Sequence, residues 1–123
     1  MEYKLIINGK LDNLNDYIEA CRSNPYKGAK LKAHNQKIVY AEIKSQLKSL
    51  HISRPVYMKY KWYETDRRRD LDNISSFGRK VIQDALVKLN VIKNDGWKEI
   101  KGFCDEFYID KKNPRIEVEI IEK

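Results

Sequence analysis

The stretch VYMKYKWYETDRRRDLDNISSFGRKVIQDALVKL, residues 56–89, decides the fold, because a strand-like period and a helix-like period meet in it. Its first part alternates between two sets of side chains, as a half-buried strand does. The set expected to face the core is Val56, Met58, Tyr60 and Trp62. The opposite set, expected on a solvated or ligand-facing surface, is Tyr57, Lys59, Lys61 and Tyr63. From Asn73 to Leu89, apolar residues recur at helical spacing, so the sequence predicts a strand followed by an amphipathic helix.

The rest of the chain predicts further strands and helices in no strict alternation. Strands are expected at Tyr3–Asn8, at about Lys98–Ile109 and in RIEVEII (115–121), with a hairpin-like turn at DKKNP (110–114). A short helix is expected in residues 11–28, ending in a turn punctuated by Pro25 and Gly28, and a longer one from about Lys30 to Leu50. These elements predict one α/β domain over residues 1–123, of the mixed α+β kind, with a small mixed sheet of about four strands and helices packed on it.

The composition favours a soluble, cytoplasmic protein with polyanionic partners. The net charge is +7 and the pI is about 9.3, which favours nucleic acid through release of condensed counterions. No apolar run is long enough to span a membrane, and the first residues do not resemble a secretory signal. Cys21 and Cys104 are expected to be reduced thiols. Neither has zinc-type spacing to His34 or His51.

Carboxylates stand beside the densest cluster of guanidinium groups in the chain. Asp70 and Asp72 flank the expected start of the helix, and Asp95 follows the helix in a loop. Hard divalent cations take oxygen ligands, usually one or two carboxylates with phosphate and water. We therefore expect Asp70 and Asp72 to converge on Mg²⁺ or Mn²⁺, and Asp95 to allow a second ion if it joins them.

Basic residues around these carboxylates would serve phosphodiester chemistry. Arg67, Arg68 and Arg69 would hold the phosphate backbone of DNA. Lys80 would stabilise the transition state or protonate the leaving group. At about 100° per residue, the helix gathers one polar sector, made of Asp72, Ser76, Arg79, Lys80 and Gln83.

Structural interpretations of the same residues stay open at this point. Asp72 or Asn73 would serve equally well as a helix N-cap. Asp95 would be an ordinary residue of the NDG turn, and the arginines a solvated loop in which Asp66 is their charge partner. Trp62 and Trp97 are expected in the core rather than as platforms on which bases stack, Trp62 because of its position in the strand.

RRRDLDN (67–73), followed by a helix containing DALVK (84–88) and the aspartate of KNDG (93–96), resembles the RusA family of Holliday junction resolvases. The resemblance implies a bacterial or prophage-encoded, homodimeric, magnesium-dependent endodeoxyribonuclease without a small-molecule cofactor. Such an enzyme nicks branched DNA, the four-way junction, symmetrically in recombination and repair.

The resemblance also assigns residues. It carries the metal-binding and catalytic carboxylates onto Asp70, Asp72 and Asp95. The family lysine normally follows the second aspartate by four residues, where this chain has Ser76, and alignment on DALVK places it at Lys80, with Arg79 as a substitute that would also contact DNA. The alternatives are a non-catalytic basic nucleic-acid-binding module, or a nuclease for other branched DNA such as flaps or forks.

Overall fold

The computed structural model describes residues 1–123 as four strands and three helices. In chain order these are β1 (Glu2–Asn8), α1 (Leu14–Ser23), α2 (Pro25–Gln46), β2 (Val56–Glu64), α3 (Leu71–Lys88), β3 (Ile100–Ile109) and β4 (Arg115–Glu122). The strands form one mixed sheet in the order β1-β4-β2-β3. The predicted α+β architecture, a four-stranded mixed sheet with packed helices, is confirmed.

Strands β2 and β3 are parallel and are joined through α3, whereas β4 runs antiparallel to both of its neighbours, β1 and β2. A crossover of this kind makes α3 run antiparallel to the strands it connects. The start of α3 therefore lies at the C-terminal ends of β2 and β3, and the loop after it lies at their N-terminal ends.

The expected hairpin between the last two strands is wrong. Strand β4 is inserted between β1 and β2, and β3 is left at the edge of the sheet. The connecting loop steps across the end of β2, where the Asp110 amide donates to the Glu64 carbonyl at 2.7 Å. The short connection between β3 and β4 favours pairing of these two strands with each other, but β4 pairs with β1 and β2 instead.

The alternation in β2 is confirmed. Val56, Met58, Tyr60 and Trp62 are all buried in one cluster of 22 apolar residues. The helices supply residues of the same cluster, among them Val39 and Ile43 from α2 and Val81 and Ile82 from α3. The core thus lies between one face of the sheet and the helices.

Trp62 is core as predicted, but Trp97 is not. Only 2% of Trp62 is exposed, whereas 96% of Trp97 is exposed. Trp97 lies in the loop before β3, where no strand or helix period directs a side chain inward.

Helix α2 begins earlier than the sequence predicts. Pro25 occupies the first helical turn instead of ending a turn, and the Asn24 side chain caps the helix by accepting from the Tyr26 amide. Proline is favoured at this position because the first amide of a helix has no intrahelical partner. No helix of the protein combines the length and the apolar character needed to cross a membrane. Cys21 and Cys104 are both free thiols.

Candidate active site

Two carboxylates at the N-terminus of α3, those of Asp70 and Asp72, form no capping hydrogen bond and no salt bridge. Asp70 is the N-cap by backbone geometry, yet its side chain makes no capping hydrogen bond. Asp72 is exposed in the first turn, and Asn73 instead accepts a hydrogen bond from the Asn15 amide at 2.8 Å. The interpretation of Asp72 or Asn73 as the N-cap is therefore wrong. Both carboxylates lie at the positive end of the helix dipole, where an anionic side chain is stabilised.

The three arginines before α3 have different surroundings. Arg67 is exposed, and Arg68 is exposed while its guanidinium lies 3.8 Å from Asp66. Asp66 also accepts from the Arg68 amide at 2.9 Å, so its expected part as a charge partner is seen. Arg67 and Arg68 are therefore placed where a phosphate backbone can approach.

Arg69, by contrast, is engaged inside the protein. Its guanidinium donates to the Glu64 carboxylate at 3.1 Å and to the Leu11 carbonyl at 3.1 Å. The side chains of Arg69 and Glu64 are 18% and 8% exposed. This pair ties the loop before α3 to the end of β2. Contact between Arg69 and DNA stays a prediction, and it would compete with these bonds.

A cleft of about 480 Å³ opens beside Asp70. Arg67 and Asp70 line it on the polar side, and Leu71, Tyr108 and Ile109 on the apolar side. All three apolar residues are 41–56% exposed. One of the two carboxylates at the start of α3, Asp70, thus borders a cleft that it shares with an exposed arginine.

Lys80 and Asp95, which are distant in sequence, are brought into contact. The Lys80 ammonium lies 3.2 Å from Asp95 and 3.0 Å from Asp84. Hydrogen bonds to Asp84 and Asp95 raise the pKa of Lys80 above its ordinary value. Lys80 is therefore a firmly protonated cation at neutral pH, held beside a predicted site carboxylate.

Arg79 pairs with Asp105, a residue that the sequence reasoning missed. The Arg79 guanidinium donates to Asp105 at 2.6 Å and covers the Phe103 ring at 4.4 Å. The other carboxylate oxygen of Asp105 accepts from the Trp62 indole at 2.9 Å. A signal existed in the sequence, because Asp105 lies two residues from both Phe103 and Phe107 and therefore shares their face of β3. An acid in such a phase needs a partner.

The Tyr60 hydroxyl lies beneath this group of charges. Burial raises the pKa of Tyr60; Gln83 and Arg79 oppose the increase, and Asp105 and Asp95 add to it. Gln83 donates to the Tyr60 hydroxyl at 3.0 Å. The polar residues Arg79, Lys80 and Gln83 of α3 therefore lie close to the carboxylates of Asp95 and Asp105 and to the Tyr60 hydroxyl.

The structure does not bring Asp70, Asp72 and Asp95 into one cluster. No three His, Cys, Asp or Glu side chains are arranged so that they could hold one metal ion. The reason is the helix rise: Lys80, which holds Asp95, is about 12 Å along the axis from Asp72. Ser76 lies on the intervening turn, and its buried hydroxyl has no hydrogen-bond partner.

The donor chemistry still suits magnesium. Mg²⁺ usually takes one or two protein carboxylates and completes its shell with phosphate oxygens and water. Asp70 and Asp72 are exposed oxygen donors, and the salt bridges of this region, Arg68–Asp66 and Arg69–Glu64, leave them out. Metal binding by Asp70, Asp72 and Asp95 stays a prediction.

Comparison with known families decides what this arrangement belongs to. The model of the family described as endodeoxyribonuclease RusA matches residues 12–121, nearly the whole chain. The chain belongs to the RusA family. A comparison with curated proteins finds no significant match. The RusA match spans all three helices, β2, β3 and nearly all of β4, so it includes both carboxylates at the start of α3, Lys80 and Asp95. The protein is therefore an endodeoxyribonuclease by family, as the RRRDLDN motif predicted.

Proposed function

We propose that this protein is a divalent-metal-dependent, structure-selective endodeoxyribonuclease that resolves four-way DNA junctions by paired symmetric nicks. One observation carries the proposal within the family: Asp70 and Asp72 have no capping bond or salt bridge, and Asp70 borders a cleft that is also lined by the exposed Arg67. An exposed carboxylate pair at a helix start, in a chain of net charge +7, suits a metal that must also meet phosphate.

Asp70, Asp72 and Asp95 would hold Mg²⁺ or Mn²⁺. When bound, such an ion supplies an activated water and offsets charge on the phosphate oxygens. Asp95 would bind the metal while its carboxylate also contacts the Lys80 ammonium, which lies 3.2 Å away.

Lys80 acts in this proposal as a fixed positive charge. Because Asp84 and Asp95 raise its pKa, the ammonium keeps its proton at neutral pH. It can therefore donate a hydrogen bond to a phosphate oxygen and stabilise negative charge there. Arg79 suits the same part less well, since its guanidinium is engaged by Asp105 at 2.6 Å and only 18% of its side chain is exposed.

Arg67 and Arg68 would contact the DNA backbone on the rim of the cleft. Both arginines lie just before the carboxylates, and their side chains are exposed. Arg67 would break no salt bridge by contacting phosphate, and Arg68 would lose only its 3.8 Å contact with Asp66. Backbone contacts of this kind position DNA without reading its sequence.

The decisive experiment replaces one carboxylate. Asp72→Asn removes the charge and keeps the shape, and its matched control is Asp66→Asn in the neighbouring loop. With a labelled four-way junction and Mg²⁺, we expect Asp72→Asn to bind the junction but not to nick it, while Asp66→Asn nicks it. Unchanged nicking by Asp72→Asn would refute the assignment.

One observation favours a second candidate, a non-catalytic DNA-binding module: Asp95 is paired with Lys80 instead of meeting Asp70 and Asp72. That candidate predicts binding indifferent to Mg²⁺ and no cleavage of any DNA. Comparing junction, flap, fork and linear duplex at equal salt separates it from a junction resolvase and from a nuclease for other branched DNA.

The substrate also bears on the assembly. A two-fold junction nicked symmetrically suits a two-fold enzyme, so the active species should be a homodimer. Light scattering on the nicking-competent protein would measure its mass, and an active monomer would contradict this part of the proposal.

A further inference from the structure

Trp97 is the most exposed large apolar side chain of the protein, at 96%. Large aromatic residues normally bury most of their surface. Trp97 is two residues from Asp95, and both line one cleft, where Asp95 contacts Lys80. An exposed indole next to predicted site residues suggests that a binding partner covers it.

The loop that carries Trp97 is ordered by backbone hydrogen bonds. The Gly96 carbonyl accepts from the Glu99 amide at 3.2 Å and from the Ile100 amide at 3.0 Å, which closes a turn directly before β3. The Asp95 amide donates to the Asn94 side chain at 2.9 Å. Trp97 is thus held out on a closed turn, which limits the ordering cost of any contact it makes.

A second aromatic ring borders the same cleft. The cleft holds about 280 Å³ and is lined by Trp97, Phe103 and Gln83 among others. Phe103 is 46% exposed and is fixed by the Arg79 guanidinium over its ring. A cleft bordered by two aromatic side chains offers surfaces on which a flat, aromatic group can stack.

The charges around the cleft select the kind of flat group. Lys101 lines the cleft, is exposed and belongs to no salt bridge, and Asp95, which also lines it, is paired with Lys80. Lys98, which follows Trp97 in the chain, is exposed as well. An unpaired ammonium group beside an aromatic surface suits a ligand that joins an aromatic ring to a phosphate. A nucleotide of single-stranded or branched DNA has this composition, and stacking on aromatic side chains is how proteins hold unpaired bases.

We propose that Trp97 is a stacking platform for an unpaired nucleobase of DNA, with Phe103 as the neighbouring wall and Lys101 facing the phosphate. The proposal rests on the proposed function for its partner, DNA, and adds where an unstacked base is held. A base at the branch point of a junction would then be gripped beside Lys80 and Asp95.

Intrinsic fluorescence tests the proposal without cleavage, because Trp62 is buried and Trp97 supplies the solvent-sensitive signal. The protein is titrated in EDTA with a four-way junction and with a fully paired linear duplex of the same sequence. We expect the junction to quench the emission, and the duplex to quench it much less. A 2-aminopurine placed at the branch point should change its own emission when wild type binds, but not when Trp97→Ala binds.

Binding affinity gives the second measurement. Trp97→Ala should weaken junction binding by about 5- to 150-fold, the equivalent of about 1–3 kcal/mol for one stacked base. Trp97→Phe should restore most of this loss. Tyr26→Ala is the matched control, because Tyr26 is 84% exposed on α2; it should leave the affinity unchanged, and all three variants should melt with the wild type.

Several results would overturn the proposal. One is that Trp97→Ala binds the junction with the same affinity as wild type, and another is that junction and linear duplex quench the emission equally. A third is that Trp97→Ala has a smaller oligomeric mass than wild type, which would make the indole a contact between subunits. A wild type that nicks junctions while Trp97→Ala binds them normally would refute stacking alone. A wild type that shows junction-selective quenching but never nicks would refute the proposed nuclease function alone.

Discussion

Gly78→Ala tests whether the contact between α3 and β2 leaves room for a single methyl group. A Cβ at residue 78 would meet two ring carbons of Trp62 at 2.9 Å. Trp62 is 2% exposed and its indole is bonded to Asp105, so the ring has little freedom to move away. Alanine gains about 1 kcal/mol over glycine within a helix. Overpacking a core costs about 1–3 kcal/mol. The variant should therefore be less stable than wild type, by up to about 2 kcal/mol.

Two further variants isolate the steric part of this difference. Ala33→Gly, at an exposed site within α2, measures the same exchange of a methyl group without a neighbour and should cost about 1 kcal/mol. Trp62→Phe removes the part of the ring that the new methyl meets, so Gly78→Ala in that background should become neutral or stabilising. Urea unfolding followed by far-ultraviolet circular dichroism measures all of them. If Gly78→Ala alone stabilises the protein by the amount that Ala33→Gly loses, the close packing of Gly78 on Trp62 is refuted.

Three other predictions concern charges. Asp105→Asn should destabilise the protein by about 1–3 kcal/mol in urea unfolding, because it weakens a charged hydrogen bond to Arg79 that is only partly screened by solvent; an unchanged midpoint would contradict this. The hydrogen bond from Arg115 lowers the pKa of Asp110, so its stabilising effect is present above the ordinary carboxyl range, about pH 4, and is lost as the pH falls through the lowered value. Arg115→Gln should therefore be less stable at neutral pH and lose less stability on acidification, and equal losses in both proteins would count against the coupling. Arg67→Gln should weaken junction binding and reduce the slope of log affinity against log salt by about 1, which gel-shift titrations at several salt concentrations would measure; an unchanged slope would remove Arg67 from the DNA interface.

The sequence by itself determined the elements and the family. The alternation of Val56–Trp62 and the apolar stripe of α3 are repeated local patterns, so each follows from residues close in the chain. The RRRDLDN motif identified the RusA family, and the carboxylate pair was visible as soon as the start of the helix was recognised.

Only the tertiary structure decided which distant residues meet. Three features join residues that are 15 or more positions apart. They are the insertion of β4 between β1 and β2, the pairing of Arg79 with Asp105, and the contact of Asp95 with Lys80. Periodicity shows which face of an element a side chain occupies, but it does not fix which element faces it. The exposure of Trp97 and the burial of the Arg69 guanidinium depend on that second choice, because both lie in loops whose path is set by the strands and helices around them.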